Sequence, residues 1–231
     1  MALPHPRWRA LARAGRWLRG RRALILAVSL FGLLAVADLR TNGLDGNDIE
    51  TFVYAKHWLD PTFIRNDWRL DQPPGPRLPF LVLAAPLVRI LPIEHAAILG
   101  RPLGFALVSL AAALLLVRIG LSPLEGVAVV AAYLALGQSL AAGEWLVGNL
   151  ESKVVAYACV LVALATAPTR VVVAGATLGF ATTMHLLVGG WATLLLAAAA
   201  WWTGVATARE RWKAIAAWLL FASPGIAITL L

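Results

Sequence analysis

Three polar clusters interrupt an otherwise apolar chain of 231 residues, and each carries side chains capable of chemistry. The first, at 44–61, holds Asp45, Asp48 and Glu50. Asn47 there is suited to cap a helix, with Glu50 three residues on as its capping-box partner. Ile49, Phe52 and Val53 recur at helical spacing, so one face of that helix meets the membrane or a helix bundle. Pro61 stops the segment. Asp45 and Asp48 then lie just before and within the first turn of a short interfacial helix. A carboxylate in that place can take a proton from an acceptor hydroxyl, or help hold a divalent cation. The same acids also suit a helix N-terminus and solvate a loop. Asp48 is the leading catalytic candidate.

The second cluster places Arg65, Asp67 and Arg69 around Trp68, ahead of Asp71-Gln72-Pro73-Pro74-Gly75-Pro76. The two arginines suit phosphate groups, and tryptophan suits a headgroup zone. The plainer alternative is an ion-paired turn before a rigid proline linker. The third cluster is 143–153, where Asn149, Glu151, Ser152 and Lys153, followed by Tyr157, break an apolar half of the chain. An ionisable group at mid-bilayer costs roughly 2.5–3.5 kcal/mol, so such residues face a bundle interior or water. Glu151 and Lys153, two positions apart, point to different faces of a helix and make poor mutual partners. Each is expected to find another partner, a ligand included; Asn149 as a plain helix cap is the alternative. His185 follows Thr182, Thr183 and Met184 and is expected at a helix end, either as an interfacial hydrogen-bonder or facing the same cavity as Glu151. His5, His57 and His95 form no metal-ligand spacing with it, and no phosphate-binding G-x-x-x-x-G-K-[ST] loop occurs.

The elements that must position these residues are membrane helices. Hydrophobic residues make up 60% of the chain and charged ones 14%, against roughly 45–50% and about 25% in soluble domains. The apolar blocks read 23–39, 78–92, 97–117, 123–142, 154–167, 170–186, 189–207 and 212–231. The expected fold is an all-α polytopic transmembrane bundle with about seven to eight apolar segments. Alanine, valine and leucine dominate, and small residues let helix backbones approach closely in lipid. This composition excludes a soluble enzyme, a disordered chain and a disulfide scaffold; the single cysteine is Cys159. Block 78–92 is short, carries Arg89 and holds Pro79, Pro86 and Pro92, so a re-entrant segment is an alternative to a span there.

Charge sets the expected orientation. Seven arginines (Arg7, Arg9, Arg13, Arg16, Arg19, Arg21 and Arg22) precede the first block, and no acid occurs before Asp38. That basic head, 1–22, is a membrane address rather than a nucleic-acid surface, and it keeps the N-terminus cytoplasmic. A cleavable signal peptide ending at Ala35-Val36-Ala37 is the alternative to an uncleaved first helix at 23–39. Loop 40–77 then lies outside, with six acids against three bases between residues 45 and 71. If 78–92 enters and returns on one side, Arg118, Arg170, Arg209, Arg211 and Lys213 all become cytoplasmic; if 143–153 is re-entrant instead, Arg118 stays outside. In the first scheme the bundle occupies 78–231, and loop 40–77, loop 143–153 and the end of 170–186 converge on the outer face.

A basic N-terminus, one helix, a long acidic external loop with an Asp soon after the helix, and a run of apolar helices resemble the GT-C superfamily of polytopic glycosyltransferases. The stretches 149–157, 180–185 and 188–191 are also similar to an uncharacterised bacterial membrane family with GT-C-like organisation. The resemblance implies an inner-membrane glycosyltransferase using a polyprenyl-phosphate-linked sugar, with Asp48 or Asp45 at the superfamily's catalytic position. GT-C proteins usually have more spans and often a soluble C-terminal domain, so the resemblance also implies an N-terminal piece of a longer enzyme. On that expectation Arg65, Arg69 or Lys153 holds the lipid-linked phosphate, and Glu151 and His185 line the cavity. The alternatives are a transporter or proton-coupled carrier with Glu151, Lys153 and His185 at the midplane, and a non-catalytic membrane subunit.

Overall fold

The computed structural model describes residues 6–38, 46–137, 150–204 and 206–230, with side chains from residue 20 in the first helix and from residue 49 in the second. Among the described residues the regular structure is helical throughout: α1 (Pro6–Asp38), α2 (Gly46–Leu59), a 3-10 turn at Gly75–Arg77, α3 (Leu78–Ile90), α4 (Ile93–Arg118), α5 (Pro123–Ala135), α6 (Ser152–Thr166), α7 (Val171–Met184), α8 (Leu186–Thr203) and α9 (Ala208–Leu230). Four of these helices are long and apolar enough to cross a membrane, in α1 (Gly20–Asp38), α4, α8 and α9, which gives the protein a membrane location.

Among the described residues the expected seven to eight segments of spanning length are therefore not found. The blocks from 123, 154 and 170 fold as helices of 13, 15 and 14 residues. At about 1.5 Å per residue these reach roughly 20–23 Å, short of a hydrocarbon core of about 30 Å. Local chemistry sets several of their ends. Ser122 and Glu125 form a reciprocal capping box that starts α5 (Ser122 N to Glu125 Oε2, 2.7 Å). Block 78–92 yields the 13-residue α3, stopped by Leu91-Pro92. Because Pro92 has no N–H, the Val88 carbonyl loses its helical donor, and Lys56 Nζ of α2 donates to it at 3.4 Å. That bond helps tie α2 to α3.

The packing gives each helix a direction. Leu26 and Leu30 of α1 share a cluster with Ala113, Leu116 and Val117 of α4, while Leu34 clusters with Phe105 and Val108. Asp38 pairs with Arg101 at 3.2 Å. The two helices are antiparallel, and α4 starts at the end where α1 finishes. Helices α2 and α3 sit at that same end, where Phe52, Ala55, Phe80, Leu81, Ala84 and Val88 cluster with Ala96, Ala97, Val155, Ala156, Ala181 and Met184. Helix α6 starts there; α7 returns to it, since Ala174 and Leu178 lie beside Ala163 near the other end of α6. Arg22, Arg118, Arg170, Arg209, Arg211 and Lys213 are thereby gathered at the opposite end.

The α7–α9 seam is closely packed. These helices run parallel, with Gly175 against Ala214, Gly179 against Trp218 and Thr183 against Gly225. A Cβ on Gly179 would stand 2.5 Å from the Trp218 carbonyl oxygen, so glycine alone permits this approach. Pro224 interrupts the backbone ladder of α9. The Ser223 hydroxyl donates to the Leu220 carbonyl (3.2 Å), Thr183 Oγ1 donates to the Phe221 carbonyl (2.5 Å), and Gly225 N donates back to Thr183 Oγ1 (3.3 Å). The carbonyl freed by the proline is thus satisfied within α9, and the neighbouring Phe221 carbonyl and Gly225 N–H are met by Thr183 of α7, as a membrane interior requires.

Candidate functional site

The polar residues converge at the end of the bundle shared by α2, α3 and the start of α6. Burial of Phe52 (1% exposed) and Ala55 (0%) holds one face of α2 against the bundle. Gly100 of α4 makes room, because a Cβ there would lie 2.8 Å from the Phe52 ring and 3.2 Å from Leu150 Cβ. The adjoining part of α2 opens onto a cleft of about 200 Å³ lined by Glu50, Thr51, Tyr54, Arg77, Phe80, Leu81, Glu151 and Ser152. Its floor is apolar and its rim polar and charged, the usual composition of a small-ligand site.

Each rim carboxylate has a cation. Arg69 Nη2 lies 2.6 Å from Glu50 Oε1, and Lys153 Nζ lies 3.3 Å from Glu151 Oε1. The second pair corrects the expectation that Glu151 and Lys153 are poor partners. That expectation assumed both residues on one helix, but Glu151 is the N-cap in extended conformation (φ −136, ψ 168), so its side chain is free of the helical spacing. Glu151, not Asn149, holds the cap position. Arg77 stacks over Tyr54, its guanidinium carbon 4.2 Å from the ring centroid. Tyr54 and Glu50, beside Arg69, hold its guanidinium above the ordinary arginine range. Arg69, Arg77 and Lys153 thus bring three cations to the rim beside Glu50 and Glu151.

The other expected residues are distributed as follows. Asp45 and Asn149 lie outside the described residues, as does the side chain of Asp48, whose backbone is in the first turn of α2. That helix starts at Gly46 and places Asn47 inside the first turn, so Asn47 is not its cap; the Glu50 carboxylate goes to Arg69 instead. Asp67 shapes a turn, accepting from Arg69 N (2.9 Å) and Leu70 N (3.2 Å). Arg65 is exposed on the same loop. Arg69 therefore bridges to a residue of α2 and is not part of a purely local ion-paired turn. His185 caps α8, Nδ1 accepting from Val188 N at 3.3 Å, and does not line the cleft. Thr182, one turn before it, donates to the Leu178 carbonyl at 2.9 Å. Among the described residues no three His, Cys, Asp or Glu side chains converge as a metal set.

Sequence reasoning overlooked Tyr54, Arg77 and His57. Arg77 had a visible signal, a lone cation between a Pro-Gly-Pro stretch and an apolar block. His57 has no metal-ligand spacing, yet the residue is 6% exposed and pins the loop after α2. Its Nδ1 donates to the Phe63 carbonyl (2.6 Å), and Nε2 faces Asp71 Oδ1 (3.2 Å). Asp38 with Arg101 is a further pair that composition alone did not single out. No protein-family model matches this chain, and no curated protein or solved structure matches it.

Proposed function

We propose that this is a multi-pass protein of a bacterial inner membrane that transfers a sugar from a polyprenyl-phosphate carrier at its outer face, in the manner of the GT-C enzymes it resembles. The observation that carries the reading is the cleft that joins Glu50 of the first loop to Glu151 and Ser152 of α6. The positive-inside rule supports the orientation, because the arginines and lysine gathered at the other end of the bundle suit the cytoplasm. Arg77, with Arg69 beside it, takes the carrier phosphate, where charge develops as the sugar departs and cations stabilise it most. Asp48 is the base that accepts the acceptor hydroxyl proton, Glu50 orients Arg69, and Glu151 with Ser152 contacts the sugar. A divalent cation at Asp45 and Asp48 remains compatible with this scheme. A carrier mechanism is less well supported, since Glu151 and Lys153 lie at the start of α6 and not midway along a span.

The test is transfer of radiolabel from a polyprenyl-phosphate sugar in membranes holding the full chain. Asp48→Asn is expected to lower the rate about 10²-fold or more, as loss of a general base does, and Arg77→Gln to raise the donor KM. Transfer undiminished in both variants overturns the assignment.

A further inference from the structure

We propose that the end of α8 and the start of α9, at the end of the bundle opposite the cleft, form a docking site for the headgroup of an anionic glycerophospholipid. Helix α8 closes on Gly204 in the left-handed conformation (φ 62), which brings the start of α9 back beside the end of α8. Trp201 and Trp212 stand at these helix ends at 76% and 71% exposure, far more open than a tryptophan placed for packing. Arg211 is folded back there, its guanidinium carbon 5.1 Å from the Trp201 ring centroid and its Nε donating to the Ala206 carbonyl at 3.0 Å. Arg209 and Lys213, one helical turn apart and therefore on one face, are both exposed. The parallel register that sets Gly175 against Ala214 and Gly179 against Trp218, continued toward the N-termini, brings exposed Arg170 level with Arg209.

The one acid at the start of α9, Glu210, is exposed but folded back onto the helix start. Its Oε2 accepts from Thr207 N (2.9 Å) and Thr207 Oγ1 (2.8 Å), completing a capping box, so the carboxylate is spent on the helix start. Arg170, Arg209 and Lys213 are exposed and Arg211 half-exposed, four cations against one carboxylate already engaged. The charge is complementary to a phosphodiester, and the two indoles sit where the acyl chains of such a lipid begin. Exposed cations between exposed tryptophans at the end of two spanning helices select a lipid headgroup over a soluble anion, which would have no use for the aromatic flanks. This inference depends on the membrane location alone; failure of glycosyl transfer leaves it standing.

The full chain is assembled into nanodiscs of equal parts phosphatidylglycerol and phosphatidylcholine, and lipids retained on release are counted by native mass spectrometry. Retention of phosphatidylglycerol is expected to exceed that of phosphatidylcholine, and the excess to fall about fivefold for each cation removed in R209Q and K213Q. The charge-conserving R209K/K213R pair is expected to keep it, and W212L to lower retention of both lipids. R21Q/R22Q, which removes charge at the same end of the bundle but away from Trp201 and Trp212, is expected to lower the excess less than R209Q/K213Q does. Salt added to the unmodified protein gives a readout that needs no variant and should erode the preference. Equal retention of the two lipids, equal loss in R21Q/R22Q, or displacement by free glycerol phosphate at millimolar level would overturn the proposal.

Discussion

Helices α7 and α8 are neighbours in sequence, similarly apolar, and joined through the single residue His185, yet they lead opposite lives. In α7, eight of 14 residues are buried, among them Gly175, Gly179, Thr182 and Thr183. In α8 only Gly189 is buried, while Leu187, Trp191, Leu194 and Leu195 stand exposed. Hydrophobicity does not separate the two, because lipid welcomes leucine as readily as a protein interior does. Small residues separate them. The face of α7 is made of glycine and threonine, so backbones approach and hydroxyls bond across; the face of α8 is made of leucine and tryptophan, which gain nothing by leaving lipid.

The contrast is most directly broken at the glycines. Gly179→Leu would drive a side chain into the Trp218 backbone, and overpacking of this kind costs about 1–3 kcal/mol or more. Gly190→Leu on α8, where nothing stands within 4 Å of a Cβ, should change stability by less than about 0.5 kcal/mol. Thermal unfolding of both variants in one detergent checks the pair; equal losses would mean that the seam is not special. A smaller effect is expected of Thr183→Val, which keeps the shape but removes the donor to Phe221 and the acceptor for Gly225. Its cost should be about 1 kcal/mol, and nearly nothing should follow from Thr193→Val, whose hydroxyl bonds only within α8 to the Gly189 carbonyl.

The smallest expected effect lies outside the spans, in the turn after α2. Thr62 donates to Asp60 Oδ1 through its hydroxyl (2.7 Å) and its backbone N–H (3.0 Å), and those bonds hold the Asp60 carboxyl below the ordinary aspartate range. A lowered folded value means that the stabilisation is present above the ordinary range and disappears as pH falls through the folded value. A methyl NMR signal from Thr62 should accordingly move only at acid pH below that range, and Asp60→Asn should abolish the step. A step at neutral pH would show that another group governs the turn.

The all-helical, membrane-bound nature of the chain was legible because it rests on composition summed over long blocks. The helix lengths were less so. Runs such as 123–142 and 170–186 look long enough to span by hydropathy, but α5 ends at Ala135 and α7 at Met184, where extended His185 breaks the run. The packing partners were hidden for a different reason: Gly175, Gly179 and Thr183 have the right spacing, but the surface they fit lies the equivalent of about eleven helical turns away in sequence. At the site, Glu50 and Glu151 were anticipated as functional residues and do share the cleft. Arg77 and Tyr54 were not, because a cation stacked on an aromatic ring is a tertiary contact between residues that show no motif. Helical spacing misjudged Glu151 with Lys153 because a capping residue does not obey it.

The parallel run of α7 and α9 has a consequence in time as well as in space. The chain must cross back through all of α8 before the surface that fits Gly175 and Gly179 exists. At about 5–20 residues per second of synthesis, that delay is of the order of several seconds. Throughout it, the glycine face of α7 is open to lipid, and Thr183 waits for the carbonyl that Pro224 will help to expose. The close contact between α7 and α9 can therefore form only after the whole of α8 has been made.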